Sequence, residues 1–414
     1  MRVKQIKLRN FRNYPDSVVD LAAGKTILIG ANAQGKSNFL EAIEIASCGR
    51  SSRAEHDRDL IAWGQQEMSI EVLFERGGFE QTIAFRLAQR PGARKNAVSV
   101  ERSIKINGLQ QSSSKALGGR LVTVSFKSDD LNLLRGGPKH RREWIDGVAL
   151  RLRPAFHDTL ASYQKVISQR NRLLKELFEK HRVTVSDQDQ LLAWDKQVAR
   201  YGAQIIKQRL GLLAELLPLA ERHQEHISGH QEKLAADYLF QVPEARTDPE
   251  DESWLDNGAP LAERLCVEEL SRAEAAEVAA HLLKLLKERR GEEIARKQTT
   301  IGPHRDDVTF TLNNASATSF ASQGQQRSLV LSLKLAELEL IGRNLDELPV
   351  LLLDDVLAEL DLDRQSLLMS AVADSMQTVI TTTHVSAFDP RWLEGACILK
   401  VAAGRVAAFE RLPT

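Results

Sequence analysis

The sequence has 414 residues, more than one compact core accommodates, so two or three lobes are expected. Its 56 basic and 56 acidic residues cancel, which excludes a polycation and confines any nucleic-acid surface to a local patch. Hydrophobics at 43% and charges at 27% describe an ordinary globular chain, and aromatics at 5% argue against base stacking as a main source of affinity.

Cys48, Cys266 and Cys397 lie far apart with no CxxC, which argues against a zinc site or disulfide framework and fits a reducing compartment. No apolar run approaches the ~20 residues of a membrane span. The opening MRVKQIKLRNF alternates charge with aliphatic residues and lacks the apolar block of a signal peptide. A soluble, cytoplasmic protein without a membrane partner is expected.

Taken in chain order, the first third reads as strand-rich. Val18, Val19 and Leu21 alternate, and Thr26-Ile27-Leu28-Ile29 is a short apolar run ending at Gly30, as a buried strand does. From Asn38 the spacing of Leu40, Ile43 and Ala46 predicts a helix. Strands follow at Ile70 to Phe74, Ile83 to Leu87 and Leu121 to Phe126, with Gly and Ser clusters between them. From Pro154 to Arg296 the pattern becomes helical. Ile167, Leu174 and Leu177 form one stripe, Val198, Tyr201, Ile205, Leu212 and Leu216 a second, and Val278, Leu282, Leu285 and Leu286 a third. These predict antiparallel hairpins forming an arm. Between them, Gly229 to Pro260 is weakly patterned and acidic, and its run TDPEDESWLDNGAP (Asp248, Glu250, Asp251, Glu252, Asp256) reads as a surface loop. The last third returns to α/β: a strand near Thr309 to Leu312, a helix after Ser322 carrying Leu329, Leu333, Ala336 and Leu340, and buried strands at Val350 to Leu353 and Val379 to Thr383. The economical architecture is an α/β fold interrupted by an α-helical insertion.

Gly30-Ala31-Asn32-Ala33-Gln34-Gly35-Lys36-Ser37 satisfies GxxxxGK[ST] between an apolar strand and an amphipathic helix. Its glycines let backbone N–H groups wrap phosphates, and the following helix turns its positive end toward them. Lys36 would reach the β- and γ-phosphates, and the Ser37 hydroxyl would ligate Mg²⁺. The strand Val350 to Leu353 ends in Asp354 and Asp355. Asp354 can complete the metal shell and Asp355 can polarise an attacking water, although two acids also end many strands that simply exit to solvent. Asp361 is out of reach on that strand and is placed to meet a neighbouring subunit. His384 ends the next apolar strand and is either a γ-phosphate contact or merely solvated. Ser322-Gln323-Gly324-Gln325-Gln326-Arg327 offers a hydroxyl and N–H groups for an anion, or simply a good helix cap.

The order of these motifs resembles the head of ABC-type ATPases. In that class the S-x-G-Q of one subunit closes over the ATP of another, which implies cofactor contacts for Ser322, Gly324 and Gln325. Five segments are similar to the RecF family of bacterial DNA repair and replication proteins: Leu8 to Tyr14, Gly136 to Asp146, Thr300 to Asp307, Ser322 to Arg327 and Leu353 to Asp361. Ala33 stands where that family usually has Gly. Ser125 to Leu131 lacks the family's usual Pro-Glu pair. Asp355 replaces the Glu of most ABC ATPases, which suggests slow hydrolysis. The resemblance implies an ATP- and Mg²⁺-dependent homodimer that grips duplex, single-stranded or gapped DNA in gap repair, replication and SOS induction, with RecR and RecO as partners and hydrolysis as a timer. It also implies head segments 1–135 and 299–414 around an arm 136–298.

Local charge points to where DNA would touch. Arg135, Lys139, Arg141, Arg142, Arg151 and Arg153 face only Glu143 and Asp146 in their stretch, and Lys165, Arg170, Arg172, Lys175, Lys180 and Arg182 face only Glu176 and Glu179. Alternatively Arg141, Arg142 and Asp146 form structural pairs linking the head to the arm. Two other functions fit less well. A transporter motor needs no 285-residue gap between Ser37 and Ser322. A chromosome-structural ATPase of the SMC and Rad50 kind carries a far longer coiled coil than this arm.

Overall fold

A computed structural model describes residues 1–91, 98–180, 183–240, 264–265, 274–345, 347–372, 375–386 and 388–408. Cys266, Arg182 and the acidic run from Asp248 to Asp256 lie outside them. The chain divides into two compact units, Met1–Asp130 with Glu337–Thr414, and Leu131–Ala336.

The first unit stacks two sheets on one helix. Strands β1 (Arg2–Phe11), β2 (Tyr14–Asp20), β4 (Glu67–Arg76), β5 (Phe79–Pro91), β6 (Val98–Ile106) and β7 (Leu109–Gln111) form an antiparallel sheet in the order β2-β1-β4-β5-β6-β7. β4 shows why it is one-sided. Met68, Ile70, Val72 and Phe74 are buried, while the residues between them face outward, where Lys7 of β1 meets Glu71 at 2.9 Å. The second sheet, in the order β16-β15-β3-β14-β13-β8, contains β3 (Lys25–Ile29), β8 (Thr123–Lys127), β13 (Val350–Asp354), β14 (Thr378–Thr382), β15 (Cys397–Ala402) and β16 (Arg405–Ala408). All its pairings are parallel except β15 with β16. Every residue of β14 is buried, and so are Val350 to Leu353, as expected for strands covered on both faces.

Helix α1 (Lys36–Cys48) is the middle layer. Phe39, Leu40, Ile43 and Ala46 join one core with Ile6, Leu8, Ile70 and Phe74 of the first sheet and Leu28, Leu352 and Val379 of the second. Each large side chain so buried contributes roughly 1.5–3 kcal/mol. The helix ends at Gly49, whose φ of 73° is the left-handed stop that glycine provides.

The second unit is mainly helical: α2 (Pro138–Leu152), α3 (Phe156–Glu179), α4 (Val185–Ile227), α5 (Ala275–Glu288), α6 (Arg290–Arg296) and the first part of α7 (Gln323–Asn344). The 43 residues of α4 pack along both α3 and α5. Its start is fixed by a reciprocal cap: Asp187 N–H donates to Thr184 Oγ1 at 3.2 Å, and Thr184 N–H donates to Asp187 Oδ2 at 3.0 Å. The three predicted stripes are the contact faces, with Leu174, Leu177, Val198, Ile205, Leu212, Leu216, Val278, Leu282 and Leu286 buried.

Part of this unit is not among the sequence expectations. The stretch from Gly229, read as weakly patterned, contains β9 (Leu234–Leu239), while the acidic run read as a surface loop lies outside the described residues. It pairs antiparallel with β11 (Asp307–Leu312) in a small sheet ordered β10-β9-β11-β12, completed by β10 (Arg264–Leu265) and β12 (Ala315–Ser316). Leu234, Ala236 and Tyr238 alternate inward, a period-two signal only three residues deep.

Candidate nucleotide-binding site

In the first unit, β3 delivers the 30–37 loop and α1 leaves it. Gly30 N–H donates to Thr382 O at 3.3 Å, tying the loop's start to the end of β14. Gly30 has no room for a side chain, because a Cβ there would collide with the Val401 carbonyl. Gly35 caps α1 with φ 113° and no side-chain hydrogen bond, leaving the first-turn N–H groups for an anion. Ala33 also sits at positive φ, 63°, where glycine is at ease and alanine is strained. The Lys36 ammonium is buried and donates to Gly30 O at 2.8 Å and Ala31 O at 3.1 Å, folding the lysine back over its own loop.

Ser37 and Asp354 are 317 positions apart, yet Ser37 Oγ donates to Asp354 Oδ1 at 2.7 Å. The same carboxylate oxygen accepts from Thr381 Oγ1 at 2.8 Å, while Thr381 Oγ1 accepts from Asp355 N–H at 3.0 Å. Two hard oxygen donors therefore meet beside a phosphate-type loop, a donor set that suits Mg²⁺. Asp355 adopts φ 55°, which aspartate tolerates better than most residues, and this favours the shorter acid there. His384 is exposed, and its N–H lies 3.2 Å from Thr382 Oγ1. Asp361 caps the helix Leu362–Ala371, accepting from Arg364 N–H at 2.9 Å and pairing with the Arg364 guanidinium.

The second unit presents the Ser322 segment. Ser322, Gln323 and Gly324 are exposed at the start of α7. Gln325 N–H donates to Ser322 Oγ at 3.3 Å and Ser322 N–H donates to Gln325 Oε1 at 2.8 Å, a reciprocal capping box.

The motif order and this geometry agree with the proteins that the chain resembles. The model of the RecF/RecN/SMC N terminal domain matches residues 2–391. A DNA replication and repair protein RecF of Gloeobacter violaceus is 39% identical over 408 residues, covering 99% of both chains. The chain belongs to the RecF family. A RecF of Thermosynechococcus vestitus is 40% identical over 99% of this chain and 97% of its own. A solved structure of the recombination mediator protein RecF with ATPrS in the RecFOR pathway superposes with a TM-score of 0.82 at 30% identity, covering 99% of this chain and 98% of that one. The ABC-type head fold expected from the sequence is thereby shown, as is membership of a family of DNA replication and repair proteins. Among the described residues no helix is long and apolar enough to cross a membrane.

Family segments outside the phosphate loop acquire physical roles. Arg12 grips Glu41 of α1 with two hydrogen bonds, 2.8 and 3.0 Å, and the Glu41 side chain is fully buried. Asn13 Nδ2 donates to Gln34 O at 2.9 Å, and Tyr14 Oη donates to Gly35 O at 2.9 Å. The β15–β16 turn holds the same residue from the other side, with Ala403 N–H on Gln34 Oε1 at 2.7 Å and Gly404 N–H on Gln34 O at 3.1 Å. Sequence reasoning missed Thr381 and this turn. Neither carries a motif signal, because a threonine in an apolar strand and a Gly404 at φ 71° look like ordinary strand and turn residues.

The basic stretches divide. Arg141 is buried, its guanidinium bidentate on Asp307 at 2.7 and 2.8 Å, with further donors on Leu133 O and Gly136 O. Asp146 is paired with Arg209 at 2.8 Å twice. Arg142 is half-buried and donates to Asp306 O at 2.7 Å. Arg141 and Asp146 are thus in ion pairs and Arg142 is on a backbone carbonyl, all within the second unit. Lys139 is exposed, as are Arg135, on Gln326 at 2.8 Å, and Arg153, on Gln208 and Glu215; Arg151 is half-buried. In the second stretch Arg170 has no exposure at all and bonds Asp195, Thr299 and Glu293. His304 is held by Tyr163 Oη at 2.7 Å and Thr299 O at 3.1 Å, and burial pushes its pKa down to about 4.

Proposed function

We propose that this chain binds ATP with Mg²⁺ in the 30–37 loop, pairs with a second copy across the bound nucleotide, and grips DNA in the paired state until slow hydrolysis releases it. The carrying observation is the 2.7 Å contact between Ser37 Oγ and Asp354 Oδ1, which brings the two motifs of a nucleotide-metal site together. Membership of the RecF family and the likeness to RecF structures with ATP and ATPrS support the same reading.

In this reading the loop amides and Lys36 hold the phosphates. Ser37 and Asp354 would hold Mg²⁺, which supplies charge neutralisation at the β- and γ-oxygens when bound. Asp355, at the end of β13, orients the attacking water, and His384 approaches the γ-phosphate from the end of β14. Ser322, Gly324 and Gln325 of one copy close over the nucleotide of the other, with Asp361 at the same seam. Segments 1–135 and 299–414 act as the head and 136–298 as the arm. The exposed Arg135, Lys139 and Arg153 meet DNA phosphates, duplex beside a single-stranded gap being the substrate. The RecFOR pathway of the relatives points to RecR and RecO as partners, in the cytoplasm.

The test is a size-exclusion and gel-shift series on duplex, single-stranded and gapped DNA with ATP, ADP or no nucleotide. ATP alone should give the dimer and the tightest DNA binding, and Ser322→Arg should bind ATP as a monomer. Equal elution with either nucleotide, or an unimpaired Ser322→Arg dimer, refutes the reading.

A further inference from the structure

The Ser322 capping box is the end of a longer hydrogen-bonded chain within the second unit. Gln325 uses its Oε1 for Ser322 N–H, and its Nε2 donates to Glu232 Oε1 at 2.9 Å. The other oxygen of the same carboxylate, Oε2, accepts from Gln224 Nε2 at 2.6 Å. Gln224 is completely buried near the end of α4, and its Oε1 accepts from Ser332 Oγ at 2.8 Å, two turns further along α7. Glu232 lies in the connection between α4 and β9 and itself is fixed by its N–H donating to Ser228 Oγ at 3.1 Å.

The chemistry of this chain is directional. A carboxylate only accepts, so each glutamine must turn its NH₂ toward Glu232 and its oxygen away. For Gln325 this forces Oε1 onto the Ser322 N–H. The flipped amide would set two donors against each other. The capping box in turn fixes the serine: its oxygen accepts from Gln325 N–H, which leaves the hydroxyl proton for an acceptor outside the helix. Ser322 and Gly324 are exposed, so that acceptor can belong to another molecule.

We propose that Glu232 is a positioning residue for the Ser322 segment. It sets the amide orientation of Gln325, and through it presents the Ser322 hydroxyl as a donor to the triphosphate held by a second copy. Gln224 supports Glu232 from the buried side and ties it to Ser332. This rests on the pairing reading given above. Glu232 touches no nucleotide. Its effect passes entirely through Gln325.

The test compares wild type, Glu232→Gln and Glu232→Ala. Monomer affinity for a fluorescent ATP analogue, ATP-induced dimerisation by light scattering, and turnover are measured on the full chain. Glu232→Gln keeps the size but offers one acceptor oxygen and one NH₂, so only one of the two glutamines stays oriented. Glu232→Ala loses both acceptors, and dimerisation should weaken about tenfold with turnover falling in step, and by less in Glu232→Gln, while the monomer's nucleotide affinity stays the same. Unchanged dimerisation in both variants overturns the proposal. So does a Glu232→Gln chain whose nucleotide affinity falls in parallel with its pairing, since that marks general stability. If wild type itself fails to dimerise with ATP, the pairing reading fails instead, and the two failures are told apart by that control.

Discussion

Arg170→Met tests whether Arg170, in the second basic stretch, belongs to a DNA surface or to the interior. The Arg170 guanidinium is fully buried: Nε donates to Asp195 at 2.8 Å, Nη1 to Thr299 Oγ1 at 2.8 Å and Nη2 to Glu293 at 2.6 Å. Methionine fills much the same space but leaves two buried carboxylates. Asp195 keeps Arg290 at 2.9 Å, whereas Glu293 is left with Thr300 and, among the described residues, no cation. An uncompensated buried charge costs about 3–5 kcal/mol. Arg170→Met combined with Glu293→Gln removes that charge, and the double variant should regain about half of the loss. Urea unfolding followed by tryptophan fluorescence is a suitable assay, because Trp194 packs on Leu173, Leu174 and Leu177 beside the cluster. Any folded variant should show the wild-type salt slope of DNA binding. A loss below about 1 kcal/mol with a shallower salt slope would refute the reasoning and return Arg170 to the DNA surface.

Further outcomes follow from the sites described. Ala33→Gly relieves a residue held at φ 63° and should stabilise the first unit by about 0.5–1 kcal/mol; chemical denaturation showing a loss would contradict the strain. His304 has its folded pKa lowered from 6.5 to about 4, so the unfolded chain takes up the proton first. Stability should therefore fall by up to about 3 kcal/mol as pH drops from 6.5 to 4 and this contribution should level off below, and His304→Gln should flatten that slope in unfolding titrations. Lys36→Ala should lose nucleotide binding by calorimetry. Asp354→Asn should keep it, with turnover reduced roughly 100-fold or more; normal hydrolysis in that variant would rule out the metal assignment.

The head was legible because its signals are local and strong. Ile27 to Ile29, Val350 to Leu353 and Val379-Ile380 are apolar runs, flanked in β3 and β14 by β-branched threonines, as suits parallel strands covered on both faces. The strand, loop and helix around residues 30–37 were legible from the motif spacing together with the apolar and helical patterns that flank it. Of the small sheet in the second unit only β11 was legible, since its partner β9 ends 68 positions earlier and is only six residues long. Charge counting also has a limit. Arg141 and Arg170 add to a local basic excess in the sequence, but their acids arrive from 166 and 123 positions away, as Asp307 and Glu293. The partners of Gln34 were invisible for the same reason.

The position of β3 has a consequence for how the protein is made. Its neighbours in the sheet are β14 and β15, so the strand that carries the phosphate loop finds no hydrogen-bonded edge until the ribosome passes Thr378. At 5–20 residues per second, roughly 20–70 seconds separate the emergence of that strand from its pairing. Residues 131–336 are synthesised whole within the interval and can fold first. A translation product that stalls before Gly404 also lacks the Gly404 N–H that donates to Gln34 O in the 30–37 loop.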